Sequence, residues 1–551
     1  MKSRVLFTIF FFCFLAILAK LFFLQVLNAN NFNAEYVRTQ KILPERGKVL
    51  DRNGSPLALN ETVYQLFAEP KKITDRFAVI KHIDDVLHIG ETTLEARLDQ
   101  TKQWVAIKSG VTKEEKQQLE SIKLFGLGFD NQTKRFYPEA SLSAHILGFV
   151  GKNAQGENTG YFGIEGYYNK ELMGLPGFLK SERDLTDRPI FIGTQEKMPA
   201  ENGRDILLTI DKAVQNIAKQ KLKDAMISSQ ALEGCVIIAN PQTMELLALT
   251  CLPDYDPSTY WDFEQTVFKN SSIQNLYEPG STFKPLIVAA ALEEGAIKPD
   301  EVFNETGPVS VGEYEIKTWD SKYSGMISIT QILEKSSNVG MVFIGQKLGN
   351  DNVYSYVQKY GFGKETGIDL QGEVAGYLKP KEDWYPIDYA TATFGQGVSV
   401  TPMQMIRAFS AVINGGYLLK PYTVYAMRDN DGEKKRDRQV VRRIITEKNS
   451  AIMRKMLVDT VENGEVKWAV PKGYKVGGKT GTAQIPIAGH YDATKTVASF
   501  IGFAPADNPK FIMLTVLREP KSSQWGAETA APLFFEIARE LFVYYNIPPS
   551  E

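Results

Sequence analysis

The stretch "EPGSTFKPLIVAAALEEG" (residues 278–295) begins as a turn and continues as a helix. A Pro-Gly pair marks the turn, and the alanine-rich, apolar run that follows ends at a glycine. Ser281 stands where a side-chain oxygen often caps a helix. Lys284 lies three residues later, and this spacing places both side chains on one helical face. Ser281 is therefore either a helix cap alone or a nucleophile whose base lies one turn away.

Two later stretches favour the nucleophile. "SSN" (336–338) supplies a serine and, two residues on, an amide, and "KTGT" (479–482) supplies Lys-Thr-Gly on a predicted strand. S-x-x-K, S-x-N and K-T-G follow one another in this order in serine acyl transferases that act on penicillin and its peptide analogues. Each motif also lies in the context that its chemistry requires: a helix start, a helix or loop, and a glycine-flanked strand. Together they predict an acyl-transfer site.

Five residues are the predicted catalytic groups. Ser281 would be the nucleophile, with its hydroxyl at the positive end of a helix dipole. Lys284 would take its proton, because burial and the nearby charge of Lys479 would lower the pKa of Lys284. Ser336 would relay a proton to the leaving amine. Asn338 would hold a substrate amide and orient Lys284.

The KTGT strand is the predicted substrate-binding element. Lys479 and the hydroxyls of Thr480 and Thr482 are candidates to bind a substrate carboxylate. The backbone N–H groups of Ser281 and Thr482 form the predicted oxyanion hole.

Glycines on the same strand suggest close contact with a peptide. Gly477, Gly478 and Gly481 would let the backbone approach the substrate, as glycine in an edge strand often does. An extended peptide would then pair along residues 480–484 as an added strand.

Length and charge restrict the class of protein. A chain of 551 residues is long enough for two or three domains. Its 63 basic and 65 acidic side chains give a net charge of -2, so the chain lacks the excess of positive charge that is typical of nucleic-acid-binding proteins. The four histidines are scattered without ligand spacing, and we expect neither a metal nor another cofactor.

The N-terminus, "MKSRVLFTIFFFCFLAILAKLFFLQV", is a basic tip followed by an apolar run. The run approaches the roughly 20 residues that span a bilayer. No A-x-A cleavage site follows it, which favours a retained signal anchor over a cleaved signal peptide or a buried core helix. Lys2 and Arg4 predict a cytoplasmic N-terminus, with the remainder of the chain on the outer side.

The order of elements after residue 234 predicts an α+β domain. A hairpin at 234–251 is followed by helices, three consecutive strands and a final amphipathic helix, so helices should pack on an antiparallel sheet. We expect residues 328–349 to form one helix that ends at Gly349, and the charged stretch 428–443 to be a solvated loop. Cys235 and Cys251 would face each other across the hairpin, and two buried free thiols are favoured over a disulfide.

The chain resembles the class B penicillin-binding proteins, membrane-anchored D,D-transpeptidases that cross-link bacterial peptidoglycan, over nearly its whole length. "YEPGSTFKP", "EKSSNVG", "FGQGVSVTPMQM" and "GGKTGTAQ" resemble the transpeptidase motifs, with Ser281 as the acyl-enzyme serine. "RGKVLDRNG", "RFYPEASLSAHILGFVG" and "GIEGYYNKELMGLPG" resemble the motifs of the non-catalytic pedestal. The resemblance implies structural rather than catalytic roles for six residues: Arg46, Asp51, Arg52, Arg135, Gly148 and Glu165.

The resemblance also implies the architecture. It predicts an α+β protein with an N-terminal transmembrane helix, an elongated α+β pedestal and a transpeptidase domain whose antiparallel sheet is covered by helices. The expected limits are 1–27 for the cytoplasmic tip and anchor, 28–225 for the dimerisation-type pedestal and 226–551 for the transpeptidase domain. The expected location is the bacterial inner membrane, with the catalytic domain on the periplasmic side.

Substrate, inhibitors and partners follow from the same resemblance. Stem peptides ending in D-Ala-D-Ala would be donors, β-lactams would be covalent inhibitors, and a membrane-embedded glycan polymerase and division proteins would be partners. "EPGSTFKP" and "FGQGVSVTP" look more like the septal cell-division enzymes and their sporulation relatives. A lateral-wall transpeptidase, a D,D-carboxypeptidase and a β-lactam sensor are the alternatives. "SQWGAETAAP" (523–532) departs from the family, since Trp525 takes the place of a Gly-Gly pair.

Overall fold

A computed structural model describes residues 2–27, 37–122, 124–182, 195–487 and 490–550. The chain divides into two compact units. The N-terminal unit comprises Met1–Gly47 and Lys170–Arg204, and the main unit comprises Lys48–Asn169 and Asp205–Glu551.

The strands are β1 (Val37–Ile42), β2 (Val49–Leu50), β3 (Pro56–Ala68), β4 (Val105–Val111), β5 (Leu127–Phe136), β6 (Phe149–Lys152), β7 (Asn158–Tyr161), β8 (Gly177–Glu182), β9 (Gln195–Met198), β10 (Asp205–Leu208), β11 (Glu233–Ala239), β12 (Leu246–Leu252), β13 (Val302–Glu305), β14 (Val309–Val311), β15 (Tyr314–Ile316), β16 (Gly325–Ser328), β17 (Tyr417–Leu419), β18 (Val424–Asp429), β19 (Gly432–Lys435), β20 (Val440–Arg443), β21 (Gly477–Ile487), β22 (His490–Ala504) and β23 (Phe511–Arg518). The α-helices are Lys2–Phe22, Arg76–Leu87, Glu91–Arg97, Lys113–Ser121, Ala144–Leu147, Gly163–Tyr167, Asn169–Met173, Lys212–Ser229, Ser271–Gln274, Lys284–Glu293, Ile329–Glu334, Asn338–Leu348, Asn350–Lys359, Pro386–Ala392, Pro402–Ile413, Glu447–Asn463 and Ala530–Tyr544.

The N-terminal unit contains the apolar helix and a small sheet. The helical stretch Arg4–Val26 has 23 residues and a mean hydropathy of 2.6, so it is long and apolar enough to cross a membrane. Strands β1, β8 and β9 form an antiparallel sheet in that order.

A five-stranded antiparallel sheet organises the predicted transpeptidase domain, in the order β12-β11-β23-β22-β21. Successive side chains of a strand point to opposite faces, so Ser499 and Phe500 of β22 separate two layers. Phe500 packs against Phe534 and Phe535 of the C-terminal helix. Ser499 faces the turn before helix Lys284–Glu293, close to Thr282. The helices therefore cover both faces of the sheet.

A second sheet joins strands that are far apart in sequence. Its order is β19-β18-β10-β2-β3-β4, with β5 paired to β3. Strands of the predicted pedestal and strands β18 and β19 of the predicted transpeptidase domain thus share one hydrogen-bonded sheet. Helix Lys212–Ser229, which follows β10, buries Val214, Ala218 and Leu222 in the core of the five-stranded sheet. The predicted boundary between residues 225 and 226 lies inside this helix.

The structure corrects the expectation of one helix over residues 328–349. Helix Ile329–Glu334 is terminated by Ser336, which lies two residues beyond its last helical residue and has a left-handed backbone (φ 55°). The N–H of Ser336 donates to the carbonyl of Leu333, and the N–H of Ser337 donates to that of Ile332, the two bonds of a Schellman motif. Ser337 then caps the next helix, because its Oγ accepts from the N–H of Gly340 at 2.8 Å.

The structure also corrects the prediction that the charged stretch 428–443 is a loop, because it contains paired strands. Strands β18 and β19 form a hairpin with a two-residue turn, and β20 pairs with β17. The mixed charges concealed this pairing because the side chains of β19 and β20 are exposed on both faces, so no apolar alternation marks the strands.

The cysteine expectation was wrong in its preferred form. Cys235 and Cys251 form a disulfide. They are register partners on the paired strands β11 and β12, with Cα atoms 4.1 Å apart. Two side chains directly opposite each other on one face of an antiparallel pair are close enough to bond, and burial in the core does not prevent it.

A buried ion pair ties two parts of the predicted pedestal together. Arg135 Nε lies 2.7 Å from Glu165 Oε1, and their side chains are 4% and 0% exposed. Arg135 Nη1 also donates to Asn60 Oδ1 at 2.9 Å. A charge in this position is tolerated only while its partner is present, because an unpaired buried ion is strongly unfavourable.

Replacing Arg135 should therefore destabilise the fold. We expect Arg135→Met to lower the free energy of unfolding by about 3–5 kcal/mol, since it removes the arginine charge that balances the buried Glu165 carboxylate. Lys108→Met, which removes a partly exposed partner of Glu115, should cost about 0–1 kcal/mol. Urea unfolding of the detergent-solubilised chain measures both. Equal, small losses would show that the Arg135 pair does not support the fold.

Candidate active site

Ser281 lies in a 3-10 turn, Gly280–Phe283, that leads directly into helix Lys284–Glu293. The turn is shaped by Thr282, whose hydroxyl donates to the carbonyl of Pro279 at 2.7 Å. Of the two roles considered for Ser281, the helix cap is not observed, because no side-chain cap is formed at this end. Instead, Ser281 Oγ lies 3.0 Å from Ser336 Oγ. The turn thus leaves the Ser281 hydroxyl available at the surface of a cleft.

Lys284 is wholly buried and is held by the SSN segment. Its Nζ donates to the carbonyl of Ser336 at 2.5 Å and to Asn338 Oδ1 at 2.9 Å. The same Nζ lies 3.2 Å from Ser336 Oγ. The left-handed turn at Ser336 and the helix start at Asn338 bring these three oxygens around one nitrogen.

The surroundings of Lys284 disfavour its charged form. Burial lowers the pKa of Lys284 well below its ordinary value, and the positive charge of Lys479 lowers it further. The carboxylates of Glu465 and Glu305 act in the opposite direction and are weaker. A buried lysine with a depressed pKa, in contact with a serine hydroxyl, has the properties of a general base.

Strand β21 carries the KTGT motif at the end of the five-stranded sheet. Lys479 Nζ donates to Thr480 Oγ1 at 3.0 Å, and the Thr480 hydroxyl donates to Glu465 Oε2 at 3.0 Å. Burial lowers the pKa of Lys479, and Glu465 partly opposes the shift. Among the described residues, β21 is the last strand of the sheet and pairs with β22 alone, so its other edge has no strand partner and can accept an added strand.

The glycines of β21 are required by the packing of the protein itself. A side chain at Gly477 would overlap the ring of Phe503, and one at Gly478 would overlap Phe500 and the carbonyl of Ile501. At Gly481, a Cβ would lie 2.6 Å from Ser499 Oγ and 2.8 Å from Thr282 Cγ2. These glycines make room for the protein's own core and for the Ser281 turn.

The predicted residues meet around one cleft of about 410 Å³. Ser281, Ser336, Asn338, Thr480 and Thr482 line it. Beneath this surface lie Lys284, Lys479 and Gly481, whose side chains or backbone support the lining groups. Other lining residues were not predicted as site residues: Trp319, Phe394, Gln396, Glu465, Trp468, Trp525, Ala527 and Glu528. Glu465 lies 14 residues before Lys479 without a local motif, so only the folded chain reveals it.

The unusual Trp525 forms one wall of the cleft. Its ring meets that of Trp319 edge to face, with centroids 5.3 Å apart. Gly526, the next residue, donates its N–H to Thr482 Oγ1 at 3.0 Å. A Cβ on Gly526 would lie only 2.3 Å from the Gly481 carbonyl. One glycine is therefore sufficient to keep this loop close to β21, and the tryptophan leaves the catalytic geometry in place.

In the described part of the chain, no group of three or more His, Cys, Asp or Glu side chains is arranged to hold a metal ion. The site is thus defined by a serine, two buried lysines, an amide and hydroxyl groups, which is the donor set of a serine acyl transferase.

Comparison with known proteins agrees with this class. The family model "Penicillin binding protein transpeptidase domain" matches residues 234–539, and "Penicillin-binding Protein dimerisation domain" matches residues 41–208. The stage V sporulation protein D of Bacillus subtilis is 33% identical, over 100% of this chain and 87% of its own. The peptidoglycan D,D-transpeptidase FtsI of Buchnera aphidicola (Schizaphis graminum) is 31% identical, over 98% and 94%.

Solved structures give the same result. Penicillin Binding Protein 2X of Streptococcus thermophilus superimposes with a TM-score of 0.79 and 25% identity, covering 93% of this chain and 80% of its own. The chain belongs to the class B penicillin-binding proteins. It has the two domains of that family and the N-terminal apolar helix that anchors such proteins in a membrane.

Ser336 offers a test in which activity and stability move independently. Ser336→Gly relieves the left-handed backbone, worth about 1–2 kcal/mol, and loses side-chain hydrogen bonds worth about 1 kcal/mol. We therefore expect unfolding stability at or above that of the wild type. Acylation by labelled penicillin should slow on the order of 10²-fold, because the hydroxyl between Lys284 and Ser281 is gone.

The neighbouring serine is the matched control. Ser337→Ala removes a helix cap and the hydrogen bond from the Ser337 hydroxyl to the buried Glu305, and should cost about 2–4 kcal/mol of stability, while acylation stays near the wild-type rate. If both variants slowed acylation equally, the Ser336 hydroxyl would have no special role.

Proposed function

We propose that this protein cross-links peptidoglycan stem peptides through an acyl-enzyme on Ser281. One observation carries the proposal. Ser281 Oγ, Ser336 Oγ and the buried Lys284 Nζ are linked by two successive hydrogen bonds of 3.0 and 3.2 Å. The chain belongs to a family of D,D-transpeptidases, and this constellation is the part of the fold that can move a proton away from a serine.

The protonation state of Lys284 determines the direction of that proton. A neutral amine has two N–H donors and one lone pair. Its two carbonyl neighbours, from Ser336 and Asn338, can only accept, so they take the two N–H groups. The lone pair is left for the Ser336 hydroxyl. When Ser336 donates to this lone pair, its oxygen can accept from the Ser281 hydroxyl, the reverse of the direction in the structure, where Ser336 Oγ donates to Ser281 Oγ. Removal of the Ser281 proton therefore runs through Ser336 to Lys284.

The reaction then has two steps. The Ser281 oxygen attacks the carbonyl between the two terminal D-alanines of a donor peptide, the peptide C–N bond breaks, and D-alanine leaves with a proton supplied through Ser336. An amine of a second stem peptide next attacks the ester carbonyl, gives up its proton by the reverse route, and releases Ser281. A β-lactam imitates the donor and leaves an ester on Ser281.

Strand β21 would hold the donor. Its open edge can pair with an extended peptide, and the N–H groups of Ser281 and Thr482 would stabilise the oxyanion, at about 10²–10³ in rate for each donor. Lys479, with the hydroxyls of Thr480 and Thr482, would bind the terminal carboxylate. Asn338, whose Oδ1 is bonded to Lys284, would use its amide to hold the peptide.

The cellular setting is part of the proposal. Lys2 and Arg4 support a cytoplasmic N-terminus and a periplasmic catalytic domain at the inner membrane. The motifs "EPGSTFKP" and "FGQGVSVTP" and the similarity to FtsI support a septal role, with a membrane-embedded glycan polymerase and division proteins as partners. The division into 1–27, 28–225 and 226–551 is proposed as the functional organisation of anchor, pedestal and catalytic domain.

Labelled penicillin tests the nucleophile directly. The wild-type chain should acquire one covalent label, and Ser281→Ala none, because the ester requires the Ser281 oxygen. With lipid-linked peptidoglycan and a glycan polymerase, the wild type should form cross-linked dimers of stem peptides. Labelling of the Ser281→Ala chain would refute the assignment, and release of D-alanine without any cross-link would indicate a carboxypeptidase.

Depletion in the host cell tests the septal role. Cells that lack the protein should grow into filaments, because elongation continues while septal cross-linking stops. Ser281→Ala should fail to restore division, and wild type should restore it. Rounded cells after depletion would assign the protein to the lateral wall.

A further inference from the structure

The two hydroxyl groups proposed to bind the donor carboxylate are not equally available. Thr480 and Thr482 both line the cleft, because residues two apart on a strand point to the same face. Thr482 Oγ1 accepts from the N–H of Gly526 at 3.0 Å, and accepting this bond does not use its own hydroxyl proton. The oxygen of Thr480, in contrast, accepts from Lys479 Nζ at 3.0 Å, and its proton is donated to Glu465 Oε2, also at 3.0 Å.

The bond to Glu465 uses the only proton that Thr480 can offer. An ionised carboxylate can accept hydrogen bonds but cannot donate them, and a hydroxyl has one proton to donate. While Thr480 donates to Glu465, it has no proton for the carboxylate of a donor peptide. Glu465 therefore takes the place of the ligand, since it presents the same chemical group to the same hydroxyl at the wall of the same cleft.

The backbone holds Glu465 in this place independently of its charge. Helix Glu447–Asn463 is followed by Gly464, where a Cβ would lie 2.2 Å from the carbonyl oxygen of Thr460. On the other side, Val466 is buried in the core of the five-stranded sheet. Glu465 itself is exposed, and an exposed carboxylate contributes little to the stability of a fold. Its side chain can therefore be replaced without loss of the surrounding structure.

We propose that Glu465 is a positioning residue that competes, as an internal carboxylate, with the terminal carboxylate of the donor. It acts through Thr480, whose hydroxyl turns away from Glu465 when the donor binds and returns to it when the carboxylate leaves. The inference rests on the proposed function, because it requires that Thr480 and Thr482 bind a donor that acylates Ser281.

The competition has a consequence for the order of events. The donor carboxylate belongs to the terminal D-alanine, which is the leaving group, so it is no longer attached to the enzyme once the peptide C–N bond breaks. By taking back the Thr480 proton, Glu465 weakens the binding of free D-alanine and favours its departure before the acceptor amine arrives. A penicillin differs, because its carboxylate remains covalently attached after the β-lactam ring opens.

Acylation of the full chain by benzylpenicillin tests the competition, because the penicillin carboxylate imitates that of the donor. Saturation of the labelling rate gives the dissociation constant of the complex before acylation and the rate constant within it. Both are measured at a pH where the rate of each variant has reached its plateau. Glu465→Ala should lower the dissociation constant about tenfold, the value of one hydrogen bond to a charged group, because the Thr480 proton becomes available. The rate constant within the complex should change less than about twofold.

Three comparisons separate this contact from the general charge of the cleft. Glu528→Ala removes another lining carboxylate, which accepts from Ser523 Oγ at 2.6 Å, and should change the dissociation constant less than about threefold. In a Thr480→Val background, Glu465→Ala should have no more effect than Glu528→Ala, because the contested hydroxyl is gone. Glu465→Gln should lie between wild type and Glu465→Ala, because a neutral amide oxygen accepts the Thr480 proton more weakly than a carboxylate does.

Free D-alanine tests the release step. It should slow the labelling of Glu465→Ala at a concentration about tenfold lower than the one that slows wild type, and equal concentrations would refute a role in release. The competition itself is wrong if Glu465→Ala lowers the dissociation constant no more than Glu528→Ala does, or lowers it equally in the Thr480→Val background. A wild-type chain that acquires no penicillin on Ser281 would instead refute the proposed function. Equal unfolding midpoints of Glu465→Ala and wild type exclude misfolding as the cause of a change.

Discussion

The site depends on the burial of one amine. A lysine that is charged in water is placed where its charged form is strongly disfavoured, next to a second lysine that adds repulsion. The fold must therefore surround Lys284 with oxygens that suit a neutral amine, and it does so with two carbonyl groups and one hydroxyl. Each of the three sequence motifs contributes to this arrangement, which explains why they function as a set.

The local structures around Lys284 follow from this requirement. The left-handed residue Ser336 ends one helix, Ser337 starts another, and Asn338 enters the second at its first turn. In a single continuous helix these side chains would point in successive directions around the helix axis, and they could not all contact Lys284. Glycine at position 481 lets β21 approach the Ser281 turn, and this contact also brings Lys479 near Lys284. The strained backbone at Ser336, the helix cap at Ser337 and the close packing at Gly481 thus all help to hold Lys284 in surroundings that favour its neutral form.

Sequence reasoning recovered the parts of the molecule that have local signatures. The hairpin β11–β12, the three C-terminal strands and the helix of the S-x-x-K motif follow from turn signals and periodicity. Motif order selects eight residues that the fold brings together around one cleft, and their roles stay predictions. The prediction failed where contacts with distant parts of the chain determine the local structure. The helix break at Ser336 uses a serine where glycine is usual, and the β18–β19 hairpin has no buried face. The disulfide was judged from average cysteine behaviour, and Glu465 has no motif at all.

The central claim is that Lys284 acts as a neutral base whose pKa is depressed by burial and by charge. The rate constant for acylation of Ser281 by penicillin, measured against pH, tests it most directly. The rate should rise with pH as the ammonium loses its proton, with a midpoint well below the ordinary lysine pKa of about 10.4. Because Glu465 stabilises the ammonium, Glu465→Gln should move this midpoint to lower pH. A midpoint at the ordinary lysine value, or a shift to higher pH in Glu465→Gln, would contradict the account.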